Sequence, residues 1–156
     1  MEDITNIRRE LKERGQVFRI TRGVSMEPLL RERETLADIR ACDKEGTDGK
    51  ECKNVPKIGD AVLFERVGGQ LVLHRILKEK DGNYYICGDN CAYGEWVKES
   101  QILGVAVRYK RNGVWYPLSG DEMKGYVKRL VFKRWYLRGR MALGRLKKKK
   151  DYDYFN

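Results

Sequence analysis

The chain has 156 residues, of which 41% are hydrophobic and 36% are charged, and its formal net charge at pH 7 is +10. This length fits one domain with an appendage, and the composition excludes an intrinsically disordered chain. The uncharged apolar runs are far shorter than the roughly 20 residues needed to cross a bilayer, and the start MEDITNIRREL has no signal-peptide core. We therefore expect a soluble cytoplasmic protein.

The positive charge is confined to one part of the sequence. Residues 124–150 contain 12 Lys and Arg and no Asp or Glu, whereas residues 1–123 contain 21 basic and 21 acidic side chains. The body of the protein is therefore neutral, and the basic character belongs to the C-terminal segment.

The N-terminal segment predicts a short helix over residues 1–15. Asp3 or Thr5 is suited to cap this helix, and Gly15 stands where it would end. Three apolar residues share one face at helical spacing, namely Ile4, Ile7 and Leu11.

Residues 16–120 predict a mainly β domain, a curled antiparallel sheet or a partly open barrel. Seven short segments are rich in β-branched and aromatic residues: QVFRI, TLADIR, DAVLFER, QLVLHRIL, NYYICG, ILGVAVRYK and VWYPL. Turn signals separate several of them, and Asn112-Gly113 is a strong signal for a two-residue hairpin. Residues 41–57 are polar and lack periodicity, which predicts a loop insertion.

Residues 121–156 predict a basic amphipathic helix followed by a mobile tail. Apolar residues between Tyr126 and Leu146 occupy one arc of about 200° on a helical wheel. Arg134, Arg138 and Arg145 interrupt this arc, so the amphipathic pattern is imperfect.

The four cysteines do not predict a cofactor or metal site. Cys42, Cys52, Cys87 and Cys91 show no CxxC spacing, and His74 is the only histidine, so a zinc site would need all four thiolates. Free thiols are favoured in a chain without an export signal, and a Cys42–Cys52 disulfide across the polar loop is the alternative.

A candidate nucleophile lies in the stretch GVSMEPLL. The hydroxyl of Ser25 needs a base to remove its proton, and His74 is the one side chain that ordinarily titrates near neutral pH. His74 lies in the predicted strand LVLHRIL, on the face shared by Val72 and Ile76. A lone strand histidine more often has only a structural role, so the pair alone does not decide the function.

Five segments in order resemble the conserved boxes of the type I signal peptidases and their LexA-like relatives: GVSMEPLL, IGDAVLF, LVLHRIL, YICGDN and ILGVAV. The resemblance covers roughly residues 17–110, and the SMxP box is its most specific member. It implies that Ser25 is the nucleophile. Because this sequence has His74 where other members place a Lys, it is most similar to the Ser/His branch found in endoplasmic-reticulum, archaeal and sporulation-type signal peptidases.

The same resemblance implies two acidic residues after the histidine. They match Asp89 in the GD pair and Glu95 six residues later, where Glu replaces the usual Asp. An acid fixes the tautomer of a histidine base and stabilises the imidazolium. We predict Glu95 as the orienting acid with Asp89 in support, while the alternative for Asp89 is a turn residue that caps its own backbone.

The predicted function is a serine endopeptidase that cleaves an extended leader, propeptide or signal-like segment, without a cofactor. Met26 is predicted to line the substrate pocket, and Pro28 to restrict the backbone after the nucleophile. Gly59 and Asp60 are interpreted as structural. The alternatives are a non-catalytic regulatory or peptide-binding module of the same fold, and a self-cleaving LexA-like protein.

Residues 124–150 predict a second kind of partner besides the peptide substrate. A basic helix with aromatic residues can bind an anionic membrane surface, which would make the protein peripheral at the membrane. An acidic protein is the alternative partner, as is packing of the helix on the sheet, and nucleic acid is less favoured.

Overall fold

The computed structural model describes residues 4–42 and 54–153, with side chains for residues 6–42 and 54–142. Most of the predicted loop at 41–57, including Cys52 and hence the Cys42–Cys52 alternative, lies outside the described residues. The elements in chain order are α1 (Ile4–Arg14), β1 (Gln16–Ile20), β2 (Leu36–Ala41), β3 (Ala61–Glu65), β4 (Leu71–Lys80), β5 (Asn83–Cys87), β6 (Glu95–Lys98), β7 (Ile102–Arg111), β8 (Val114–Pro117) and α2 (Lys124–Asp153). A mainly β fold with a helix at each end is confirmed.

The eight strands form one antiparallel sheet that is not closed. The strand order is β1-β2-β7-β3-β4-β5-β6, and β8 pairs with β7 as its hairpin partner. Register shifts interrupt the pairing of β2 with β7, of β3 with β7 and of β4 with β5. Such bulges increase the local twist of a sheet.

The hairpin between β7 and β8 follows the prediction from sequence. Asn112 and Gly113 have φ angles of 50° and 79°, as a two-residue turn of type I′ requires. Asp81 and Gly82 make a similar turn between β4 and β5, with φ angles of 51° and 70°. β6 is the one strand that the sequence patterns missed.

Helix α1 covers one part of the sheet through its apolar face. Ile7 and Leu11 are buried in a core cluster with Val17 of β1 and Ile39 of β2. Gly15 ends the helix with a φ of 67°, and its N–H donates to Leu11 O at 3.0 Å. A second core cluster fills the sheet around β3, β4 and β5.

Helix α2 extends beyond the predicted end near Leu146, through Asp153. It packs on the body through Leu130, which is buried, and through Val127, whose side chain lies 3.8 Å from the Cβ position of Gly59. Arg134, which interrupts the apolar arc in sequence, is buried and donates to Gly88 O. No helix in the described ranges is both long and apolar enough to span a membrane.

Candidate active site

Ser25 lies in a turn between β1 and β2. The N–H of Glu27 donates to Val24 O at 3.3 Å, and the N–H of Leu30 donates to Met26 O at 3.1 Å. The side chains of Met26 and Leu30 are buried in the core, so they fix the turn to the sheet. Ser25 is thereby held in place while its own side chain is half-buried.

His74 lies on β4, directly opposite Val62 of β3. Its side chain is 8% exposed, and its ring lies 6.2 Å from that of Phe64 between centroids. His74 Nε2 is 3.0 Å from Ser25 Oγ, a hydrogen-bonding distance between groups 49 residues apart in sequence. The fold therefore brings the predicted nucleophile and the predicted base together.

The surroundings keep His74 neutral. Burial, followed by the charge of Arg66, lowers the pKa of His74 from 6.5 to about 4, while the charges of Glu95 and Asp89 partly oppose this shift. A neutral imidazole at pH 7 can accept a proton from a hydroxyl through whichever ring nitrogen carries none. The imidazole is thus in the protonation state that can accept a hydrogen bond or a proton at Nε2.

Asp89 takes part in a buried salt bridge. Arg75 Nε and Nη2 donate to the two oxygens of Asp89, each at 2.9 Å, and neither side chain is exposed. Tyr126 of α2 adds a hydrogen bond from its hydroxyl to Asp89 Oδ2 at 3.1 Å. The carboxylate of Asp89 is therefore hydrogen-bonded to Arg75 and Tyr126, and it acts on His74 through its charge.

Glu95, at the start of β6, pairs with Arg66. Arg66 Nε lies 3.0 Å from both oxygens of Glu95, and Arg66 Nη1 donates to Gln70 at 2.9 Å. Within the described part of the chain, the only side-chain hydrogen bond of His74 is the one with Ser25. The site is therefore a Ser/His dyad in which the predicted orienting acid contributes charge, but no hydrogen bond, to the imidazole.

The loop from Gly88 to Cys91 follows β5 and lies against the dyad. The N–H of Asn90 donates to Ser25 O at 2.8 Å. A Cβ added at Gly88 would lie 2.6 Å from Ser25 O, 2.8 Å from Cys91 Sγ and 3.1 Å from His74 Nε2. Only glycine fits at residue 88 without displacing one of these groups.

Sequence reasoning missed Gly88 and Asn90 as parts of the site. In the YICGDN segment, the resemblance points to the acid, whereas Asn90 bonds to Ser25 O and Gly88 approaches it closely. Arg75 gives no signal in the sequence, since arginine is usually exposed.

A cleft of about 880 Å³ lies beside the dyad. Ser25, His74 and Cys91 line it, together with apolar side chains from β2, β3 and β4. Met26 lines the cleft and also belongs to the core, and its role in substrate binding stays a prediction. Pro28 is exposed and is not part of the lining.

The charged residues that line the cleft are all arginines, namely Arg19, Arg22 and Arg66. Arg19 pairs with Glu10, and Arg66 pairs with Glu95. The structure gives Arg22 no hydrogen bond or ion pair with any residue of the described ranges. The cleft therefore has positive charge, and Arg22 is available to a ligand.

Comparison of the chain with protein-family models, with curated proteins and with solved structures gives no match.

Proposed function

We propose that the protein is a serine endopeptidase in which Ser25 and His74 form the catalytic dyad. The observation that carries this proposal is the 3.0 Å separation of Ser25 Oγ and His74 Nε2 at the wall of a cleft. The resemblance of the five sequence segments to the Ser/His branch of the type I signal peptidases supports the same chemistry.

The reaction starts with the attack of Ser25 Oγ on the carbonyl carbon of a peptide bond, while His74 Nε2 takes the hydroxyl proton. The resulting imidazolium gives this proton to the leaving amine, and the acyl group stays on Ser25. A water molecule then attacks the acyl-enzyme, again losing its proton to His74, and Ser25 regains its hydrogen as the carboxylic product leaves.

The oxyanion of the tetrahedral intermediate needs preorganised hydrogen-bond donors. The main-chain N–H groups of Ser25 and Met26 donate to no protein acceptor in the described part of the chain. Both lie in the turn that the buried Met26 and Leu30 fix to the sheet. We assign the stabilisation of the oxyanion to these two groups.

The substrate is an extended peptide that adds to a free strand edge. β4 pairs with β5 only from Arg75 onward, so residues 71–74 have no strand partner on that side among the described residues. Residues 20–23, which lead from β1 to Ser25, line the same cleft. A peptide between these two segments would bond to main-chain groups on both sides, and its scissile bond would lie beside Ser25.

The charge of the cleft favours a peptide with an acidic side chain near the scissile bond. Arg22 lies three residues before the nucleophile and has no ionic partner of its own among the described residues. An aspartate or glutamate of the substrate would supply that partner, and the net charge of +10 would speed its approach.

The proposal is tested with a fluorescent fluorophosphonate, which modifies serine hydroxyls that a base has activated. We expect labelling of the native protein at Ser25, identified by mass spectrometry of the modified peptide. We expect no labelling of the Ser25→Ala variant and a large loss in His74→Ala, with unchanged circular dichroism in both. Equal labelling of the native protein and the Ser25→Ala variant would remove the assignment.

A non-catalytic peptide-binding module is distinguished in the same experiment. Such a protein would bind extended peptides without taking up the probe and without producing cleaved fragments. A self-cleaving protein would show a loss of intact mass that Ser25→Ala prevents.

A further inference from the structure

Helix α2 has large side chains on two faces, and only one of these faces packs on the rest of the protein. The inner face carries Leu130 and Arg134, which are buried. The other carries four large side chains that are exposed to solvent, here called the outward face: Val131, Phe132, Trp135 and Tyr136. Val131 and Trp135 are four positions apart, as are Phe132 and Tyr136, so the members of each pair are neighbours on successive turns of the helix.

The exposure of the outward face is large. Phe132 is 78% exposed and Trp135 is 77% exposed. A contiguous exposed group of this kind marks a surface for association, because a single aromatic side chain can remove about 150–250 Å² from water when it is covered. The described residues of the chain do not cover this face.

Cations surround the outward face. Lys128, Arg129 and Arg140 are exposed on the same helix, and the guanidinium of Arg140 lies 5.8 Å from the ring centroid of Tyr136. Residues 124–150 contain 12 Lys and Arg without an Asp or Glu. Lys124, which bonds to Asp121, is the one cation of this helix with an ion pair among the described side chains.

This combination identifies an anionic lipid surface as the partner that fits best. An interfacial helix places aromatic and aliphatic side chains among the acyl chains, while Lys and Arg extend to the phosphates. Val131 and Phe132 offer no hydrogen bond to nucleic acid, whereas acyl chains can cover both side chains while the lipid phosphates meet the positive charge of the segment.

We propose that the outward face of α2 binds the surface of an anionic membrane. The inner side of the same helix holds the loop that contacts Ser25, since Arg134 donates to Gly88 O, Lys133 to Asn90 Oδ1 and Arg138 to Ala92 O. Membrane binding through the outward face would therefore place the lipid on the side of α2 opposite the loop that contacts Ser25. The proposal does not depend on the peptidase activity.

The test is co-sedimentation of the full chain with vesicles of phosphatidylcholine and phosphatidylglycerol at a ratio of about 3:1, compared with pure phosphatidylcholine. We expect binding to the anionic vesicles that weakens with salt and that falls about tenfold or more in a Phe132→Ser/Trp135→Ser variant, which keeps every charge. Trp96→Ser, which removes an exposed tryptophan from β6, is the matched control and should bind like the native protein.

A spectroscopic measurement locates the contact. With Trp96 and Trp115 replaced by Phe, Trp135 is the only remaining tryptophan, and we expect its emission to shift to the blue with anionic vesicles. No sedimentation with anionic vesicles, or equal binding by the Phe132→Ser/Trp135→Ser variant, would overturn the proposal. A dimer in light scattering that the same variant abolishes would instead assign the face to self-association, and would also overturn it.

Discussion

Arg75 and Asp89 form a salt bridge in which neither side chain is exposed to solvent, at 2.9 Å between Nη2 and Oδ2. Arg75 also donates from Nη1 to the carbonyl oxygens of Gly59 and Leu118, which joins three segments around one guanidinium. The pair therefore anchors the base of the loop that contacts Ser25, and it explains why the acid of the GD pair is not hydrogen-bonded to the histidine.

Removal of one partner from this pair should strongly destabilise the protein. We expect Asp89→Asn and Arg75→Met each to reduce the free energy of unfolding by about 3–5 kcal/mol, because each leaves a buried charge or its polar contacts uncompensated. Urea denaturation measures the effect. The Glu95→Gln variant is the control, since the partly exposed pair with Arg66 should contribute only about 0–1 kcal/mol. An equal loss in the free energy of unfolding for Glu95→Gln and for Asp89→Asn would contradict the burial of the Arg75–Asp89 pair.

The pH dependence of the reactivity of Ser25 should follow the lowered pKa of His74. Because burial and Arg66 bring that pKa to about 4, the imidazole stays neutral as the pH falls below 6.5. We expect the rate of fluorophosphonate labelling to stay nearly constant over this range and to fall only near pH 4, as His74 becomes protonated. A midpoint near the ordinary value of 6.5 would contradict the burial of the ring.

The two charges beside His74 should move this midpoint in opposite directions. Arg66 disfavours the imidazolium, so Arg66→Gln should raise the midpoint, whereas Glu95→Gln should lower it. Both variants should keep most of the labelling rate at pH 7. If Glu95→Gln instead lost the rate by orders of magnitude at all pH values, Glu95 would have the orienting role that the sequence resemblance implies.

The close approach of Gly88 to the dyad predicts a specific loss of activity. A Cβ at this position would lie 2.6 Å from the main-chain oxygen of Ser25, which cannot move without moving the nucleophile. We expect Gly88→Ala to reduce the labelling rate by about 100-fold or more, because small displacements of reacting groups have large effects. Gly125→Ala is the matched control: its Cβ meets nothing within 4 Å, and alanine should stabilise the helix. If Gly88→Ala were labelled at the rate of the native protein, the loop would not constrain Ser25.

Arg22, which has no ionic partner in the part of the chain that the structure describes, predicts a preference for acidic peptides. With a mixed peptide library, we expect the native protein to cleave preferentially next to Asp or Glu, and Arg22→Glu to reduce this preference by about fivefold or more. Arg14→Glu, which reverses an exposed charge on α1 outside the cleft, should leave the profile unchanged. Identical profiles for the native protein and Arg22→Glu would show that the substrate does not reach this residue.

The local patterns of the sequence predict most of the sheet, because they encode local conformation. Alternation along LVLHRIL predicts the strand of His74, and Asn112-Gly113 predicts a turn with two positive φ angles. The short strand β6 escapes detection, because in EWVK only Val97 is buried. A single buried residue in four does not produce a detectable alternation of buried and exposed positions.

Pairings between distant residues were predictable only in part. The resemblance pointed to Ser25 and His74, which the fold brings together, but it could not show that Arg75 competes for Asp89. That competition depends on the register of β4 and β5, where Arg75 lies opposite Cys87, near the start of the GD loop. Likewise, the apolar arc of α2 looked like a single face because a helical wheel does not show which side meets the sheet.

The order of the elements along the chain has a consequence for biosynthesis. The residues of α2 that hold the Gly88–Asn90 loop leave the ribosome after every strand of the sheet. The side chains that hold this loop are thus synthesised after Ser25, His74 and the loop itself.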